Sequence, residues 1–166
     1  MSALQNLTLD YTRYNLWATQ KIQTWLEPIG EDLLCRTSPS SFESLNLTLQ
    51  HILRVQRYWK LFVCGEETSA FDWSVRQVKT NVILAELLDS SAALVEHWQH
   101  FSEKALTEVM PLKNKWADMN LQRWEYILHT INHSTYHRGQ LITQARNLGI
   151  TEHIPGTDYL FYRMNR

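Results

Sequence analysis

Cysteine is scarce in this 166-residue chain: Cys35 and Cys64 are the two, they lie far apart, and neither belongs to a CxxC pair. That excludes a disulfide framework, and both thiols are expected reduced and half-buried. Glycine and proline fill five and four positions, so few breaks interrupt the chain and long helices are favoured. No charge of one sign dominates. Sixteen basic and seventeen acidic side chains leave a formal net charge of -1, too little to draw counterions from a polyanion, which argues against nucleic acid as a partner. No apolar run approaches the roughly 20 residues that span a bilayer, and MSALQNLTLDYTRYN lacks a basic start followed by an apolar core. A cytoplasmic protein without a membrane partner is expected.

What is abundant is tryptophan and histidine, seven of each. The length suits one domain over residues 1–166, large enough to bury roughly 70% of the surface its unfolded chain exposes.

Apolar periodicity predicts four long helices. In the first, from Leu4 to Leu26, Leu7, Tyr11, Tyr14, Ala18, Ile22 and Trp25 form one stripe, and Pro28 and Gly30 end it. The linker EDLLCRTSPSS is long for a hairpin and predicts a crossover. Ser40 followed by Glu43 reads as a capping box for the second helix, whose stripe is Leu45, Leu49, Ile52, Gln56, Trp59 and Val63 before the stop at Gly65. A third stripe, Val82, Ala85, Leu88, Ala92, Val95 and Trp98, lies within 76–104. The segment LTEVMPLKNKWADMN fits short extended pieces around a KN turn. A fourth helix runs from Leu121 to Asn147 and closes at Gly149, with an aromatic tail expected to pack back on the body. The fold class is therefore all-α: a four-helix bundle with crossover connections and a small extended segment before the last helix.

The fourth helix carries HTINHSTYHRGQ, with histidines at 129, 133 and 137. At about 100° per residue, Tyr126, His129, His133, His137, Gln140 and Gln144 share one face, within about 40° of His133. Trp124, Leu128, Ile131 and Ile142 occupy the opposite pole, which predicts core there. Arg123, Glu125, Arg138 and Arg146 stand at about 80° or beyond. A solvated face normally carries Lys and Glu, so a polar face without formal charge reads as the lining of a wet pocket.

Imidazoles four residues apart point the same way one turn up and can reach one ion at about 2.0 to 2.1 Å. A third ligand must come from another segment. His51, in TLQHILRV beside the second stripe, is the leading candidate; His97 and His100 on the third helix and His153 in the tail lack comparable surroundings. His129 reads as a neighbour of the site, because three successive turns drift by about 80°. A carboxylate base would have to come from Glu43, Glu125 or Asp158, since the motif is HSTYH, with serine where a metalloprotease HExxH helix has glutamate. Tyr58 and Tyr136 are candidate hydroxyl donors. Arg138 is expected to pair with an acid from the tail or the second helix.

Taken together, SSFESLNLTLQHILRVQRYW around His51, LHTINHSTYHRGQL around His133 and His137, and the tail GTDYLFY resemble the DinB family, also described as DinB/YfiT-like metal-dependent hydrolases. The resemblance covers most of the chain. It implies a divalent ion, zinc or nickel first, held by His51, His133 and His137, and a homodimer formed through helix faces. It further implies a small-molecule substrate and an enzyme that activates a low-molecular-weight thiol for transfer to an electrophile. The alternatives are hydrolysis by metal-activated water and a non-catalytic metal-binding or sensing role.

Overall fold

A computed structural model describes residues 1–164 of the chain; Asn165 and Arg166, the end of the aromatic tail, lie outside the described residues. Four long helices carry the structure: α1 (Ala3–Leu26), α3 (Leu45–Val63), α4 (Thr80–Trp98) and α6 (Arg123–Asn147). Short helices α2 (Glu31–Leu34), α5 (Glu103–Leu106) and α7 (Tyr159–Met164) sit in the connections and the tail. Strands β1 (Val109–Lys113) and β2 (Asp118–Gln122) form an antiparallel hairpin with Val109 opposite Gln122 and Lys113 opposite Asp118. The four-helix bundle and the extended pieces before the last helix are thus as the sequence predicts.

α1 packs on α4 and α6, and α3 packs on α6 and α4, so α1 faces α3, and α4 faces α6, across the two diagonals. The diagonal connections are the ones that carry extra elements. α2 lies in the first, and Glu31 from it accepts hydrogen bonds from the Thr80 backbone N–H and hydroxyl, both at 3.0 Å, which places a carboxylate at the N-terminus of α4. The second diagonal connection carries α5 and the hairpin.

Local capping explains where the helices begin. Ser2 and Gln5 form a capping box on α1, with Gln5 N donating to Ser2 Oγ and Ser2 N donating to Gln5 Oε1. On α3 the cap is Ser44, whose hydroxyl accepts from Leu47 N at 3.2 Å, so the expected Ser40–Glu43 box is not the one used. Ser40 and Glu43 lie in the exposed loop before the helix, where Glu43 serves through its carbonyl, which accepts from Ser38 N. α6 ends on Gly149, whose φ of 82° is left-handed and closes the helix as glycine allows.

Three predicted faces shift. On α1, Leu7 is exposed at 44%, and the inward side is completed instead by Thr8, Thr12, Asn15 and Thr19. On α4, Ile83, Leu84, Leu87 and Leu94 are the core residues, whereas Val82, Ala85 and Ala92 face outward. Apolar residues stand next to one another at 82–85, 87–88 and 92–95, so two overlapping stripes compete and the pattern cannot choose between them. It also ends at Trp98 rather than continuing to Lys104. On α6 the buried arc runs from Tyr126 and Gln144 through Leu141 and Ser134 to Ile131, about 90° round from the expected pole. Trp124, Leu128 and Ile142 are only half-buried.

Two core regions result. One joins Ile22, Leu26, Leu49, Ile52, Leu84 and Leu141; the other joins Tyr14, Val63, Leu94, Trp98, Ile127 and Tyr162, the last bringing the tail back onto the body. A buried polar layer crosses the bundle: Thr19 on α1 pairs with Ser91 on α4, Ser91 donates to Gln56 on α3, and Gln56 donates to Ser134 on α6. Every side chain in it is satisfied by a neighbour, which is what makes such a layer tolerable inside a core. Among the described residues, no helix is long and apolar enough to cross a membrane.

Candidate metal centre

α3 and α6 lie side by side, and their contact brings together residues 82 positions apart in sequence. His51 Nε2 and His137 Nε2 each lie 3.2 Å from His133 Nε2. One ligand nitrogen from each of the three falls within 4.8 Å of the others. Two nitrogens on a tetrahedral ion with 2.0–2.1 Å bonds are roughly 3.3 Å apart, so the spacing suits one ion without rearrangement of the helices.

Two polar clasps hold the α3–α6 register on either side of the cluster. Toward one end, Gln56 Nε2 donates to Ser134 Oγ at 3.2 Å, and Ser134 in turn donates to the Thr130 carbonyl. Toward the other, Thr48 Oγ1 donates to Gln144 Oε1 at 2.7 Å. Gln144 also donates to the carbonyls of Ser38 and Phe42, and so fixes the loop before α3. The Phe42 ring from that loop lies over His51, with centroids 4.3 Å apart.

The imidazoles are held neutral. Burial, with the positive fields of His137 and Arg54, lowers the pKa of His51 to about 4. Burial, then His137, His51 and His129, lowers His133 to about 3. Burial also lowers His137, against the effect of its bond to Gln140. In that bond His137 Nδ1–H donates to Gln140 Oε1 at 2.7 Å, while Gln140 Nε2 donates to Ser41 Oγ. With Nδ1 carrying the proton, the neutral ring aims the Nε2 lone pair into the cluster, as a metal-ligating histidine with an outer hydrogen-bond partner does. His133 differs, because its buried Nδ1 has no hydrogen-bond partner among the described residues.

Of the other candidates, His129 stays outside the group. Its ring is 6.0 Å from that of His133, packs edge-on against Trp59, and lines the neighbouring cleft. His97 and His100 are exposed at the end of α4, and His153 is exposed in the tail. Tyr58 lies in the cleft wall with its hydroxyl accepting from Asn114 Nδ2, whereas Tyr136 is exposed at 63% with its ring against His137. Glu125 accepts from the Gln122 N–H and caps α6. Arg138 does not pair with an acid among the described residues. Fully inside the bundle, it donates to Asn15 Oδ1, Thr135 Oγ1 and Tyr14 OH, and burial lowers its pKa despite the favourable effect of Tyr14. The expected acid is absent because Arg138 faces α1, where Tyr14 and Asn15 stand. Cys35 is exposed and Cys64 half-buried, both free thiols.

The cluster opens into a cleft of about 620 Å³ rather than the wet polar pocket expected from the charge-free face. His51, His133 and His129 line it with the largely buried Tyr126, while Gln144 is buried between helices outside it. Tyr58, Trp59, Trp73 and Trp116 make the walls largely aromatic, and the hairpin closes one side. A second cleft of about 760 Å³, beside Trp17, Trp25 and Phe161, is lined by His153 but by none of the clustered histidines.

The model of the DinB family matches residues 1–165. A curated relative, "Protein DinB" of Bacillus subtilis, is 26% identical over 155 residues, covering 90% of this chain and 89% of the relative. A DinB-like protein of known structure from Bacillus cereus matches with a TM-score of 0.65 at 21% identity, over 84% of this chain and 89% of its own. Another from B. subtilis matches with a TM-score of 0.62 at 16% identity, over 95% and 99%. Both structures share the fold described above.

Proposed function

Since the chain belongs to the DinB family, we propose that His51, His133 and His137 hold a divalent ion, zinc or nickel, and that the protein activates a low-molecular-weight thiol for transfer to an electrophile. The observation that carries this reading is the convergence of three neutral imidazole nitrogens, two of the contacts at 3.2 Å, beside an open cleft. When bound there, the ion supplies Lewis acidity that favours the ionised form of a thiol or water at its open position. The chain's own residues keep the ligands unprotonated through burial, orient His137 through Gln140, and wall the cleft with aromatic rings that limit water.

Thiol transfer ranks above hydrolysis because none of the described residues lining the cleft is an acid. Ser134, in the position of the glutamate of an HExxH helix, is committed to Thr130 and Gln56. A homodimer formed through helix faces belongs to the same reading.

Elemental analysis of protein purified without added metal tests the ligand set: the wild type is expected to carry at least about ten times the metal of His133→Ala or His137→Ala. Equal contents end the metal reading. Conjugate formation with several cellular thiols and an electrophile tests the activity, and its absence with every thiol ends the transferase reading.

A further inference from the structure

The cleft beside the histidines carries its own selectivity. Arg54, one turn beyond His51 on α3, lines it together with Lys115 from the hairpin turn, and no acidic side chain lines it among the described residues. Arg54 has no salt-bridge partner among the described residues; its Nε donates to the Gln50 carbonyl at 3.3 Å and one Nη to the Trp73 carbonyl. Asp72 is near enough to be felt by Arg54, yet its two oxygens are engaged by the Ser74 N–H and hydroxyl. Beside these cations the walls are aromatic, with Lys115 Nζ 4.5 Å from the centroid of the Trp116 ring. Trp73 and Trp116 meet edge to face at 5.5 Å, so the α3–α4 loop and the hairpin touch across the cleft, and Tyr58 packs against Trp73.

We infer that this cleft binds an organic acid with an aromatic body, its carboxylate or sulfonate paired with Arg54 and its rings against Trp73 and Trp116. This rests on the reading of the site as a small-molecule centre and assigns the class of its electrophilic substrate. A guanidinium without an acid partner, beside aromatic walls, recognises such a molecule through a charge-assisted hydrogen bond and ring contact. A neutral apolar molecule would gain only the second.

The test uses two fluorescent probes with the same body, 8-anilinonaphthalene-1-sulfonate and uncharged N-phenyl-1-naphthylamine. Each is titrated into the full chain with zinc and after chelation. The wild type is expected to prefer the sulfonate by on the order of tenfold. Arg54→Gln should abolish that preference, Arg54→Lys should retain part of it, and Trp116→Ala, at an exposed position, should weaken both probes. Lys21→Gln, in the second cleft, should change neither. No preference in the wild type, a preference that survives Arg54→Gln, or sensitivity to Lys21→Gln with indifference to Trp116→Ala would each overturn the inference. Because probe binding is read with and without metal, failure of the metal assignment leaves this result intact, and the reverse also holds.

Discussion

Gln56 on α3 and Ser134 on α6 are hydrogen-bonded at 3.2 Å in the middle of the bundle, and Ser134 is the residue after His133. The bond ties the position of one candidate ligand helix to the other. Gln56 also accepts from Ser91 at 3.1 Å, so its amide joins three helices.

Truncation at Gln56 is therefore expected to be costly. Gln56→Ala removes a fully buried side chain and strips partners from Ser91 and Ser134, and should lower unfolding free energy by about 2–4 kcal/mol in urea titration. A change under about 0.5 kcal/mol would show that the polar layer contributes little.

Gln140 sets the tautomer of His137 while touching no other histidine of the cluster. Gln140→Leu should weaken zinc binding about 10- to 100-fold in a chelator competition, with little effect on unfolding of the metal-free protein. Unchanged affinity would mean that the ring is oriented by packing against Phe42 and Tyr136 alone.

Acid should destabilise the metal-free protein in a defined window. In the unfolded chain His51 and His133 titrate near the ordinary value of about 6.5, whereas burial above all holds them at about 4 and about 3 when folded. Between these limits the unfolded state binds more protons, so stability is complete above about pH 6.5 and falls as pH drops toward 4. Urea midpoints at pH 7.5, 6 and 5 should decline, and less steeply in His133→Leu; parallel declines would remove the histidines as the cause.

Arg138 offers a contrast, being a buried cation held by neutral partners. Arg138→Met discards its desolvation cost together with its hydrogen bonds and should leave stability within about 1 kcal/mol. Arg138→Ala, which also opens a cavity, should cost roughly 3 kcal/mol in the same titration. A large loss in both variants would assign the bonds to Asn15 and Tyr14 more weight than the charge costs.

Much of the fold was legible because period and punctuation agreed: Pro28, Gly65 and Gly149 stand at helix ends, and the KN turn sits between two strands. The stripe on α4 was legible only to within one residue, since Ile83 and Val82 are equally apolar and only the packing distinguishes them. The HxxxH spacing placed His133 and His137 together, as helix geometry requires, and His51 was reachable through its position beside the second stripe. The sequence pattern marks neither Phe42 nor Arg54 as part of the site, and it places Gln144 on the pocket face without its role as a clasp. Their roles come from the loop before α3, the α3–α4 loop and the diagonal path of the chain, for which no local pattern speaks.

The hairpin built from β1 and β2 closes one side of the cleft but supplies none of the three clustered histidines. One wall of the cleft and the histidine cluster thus come from separate pieces of chain, one exposed at its turn and one cross-tied between α3 and α6, where Arg54 also stands. Varying the hairpin turn therefore reshapes that wall while leaving the α3–α6 clasps and the clustered histidines in place.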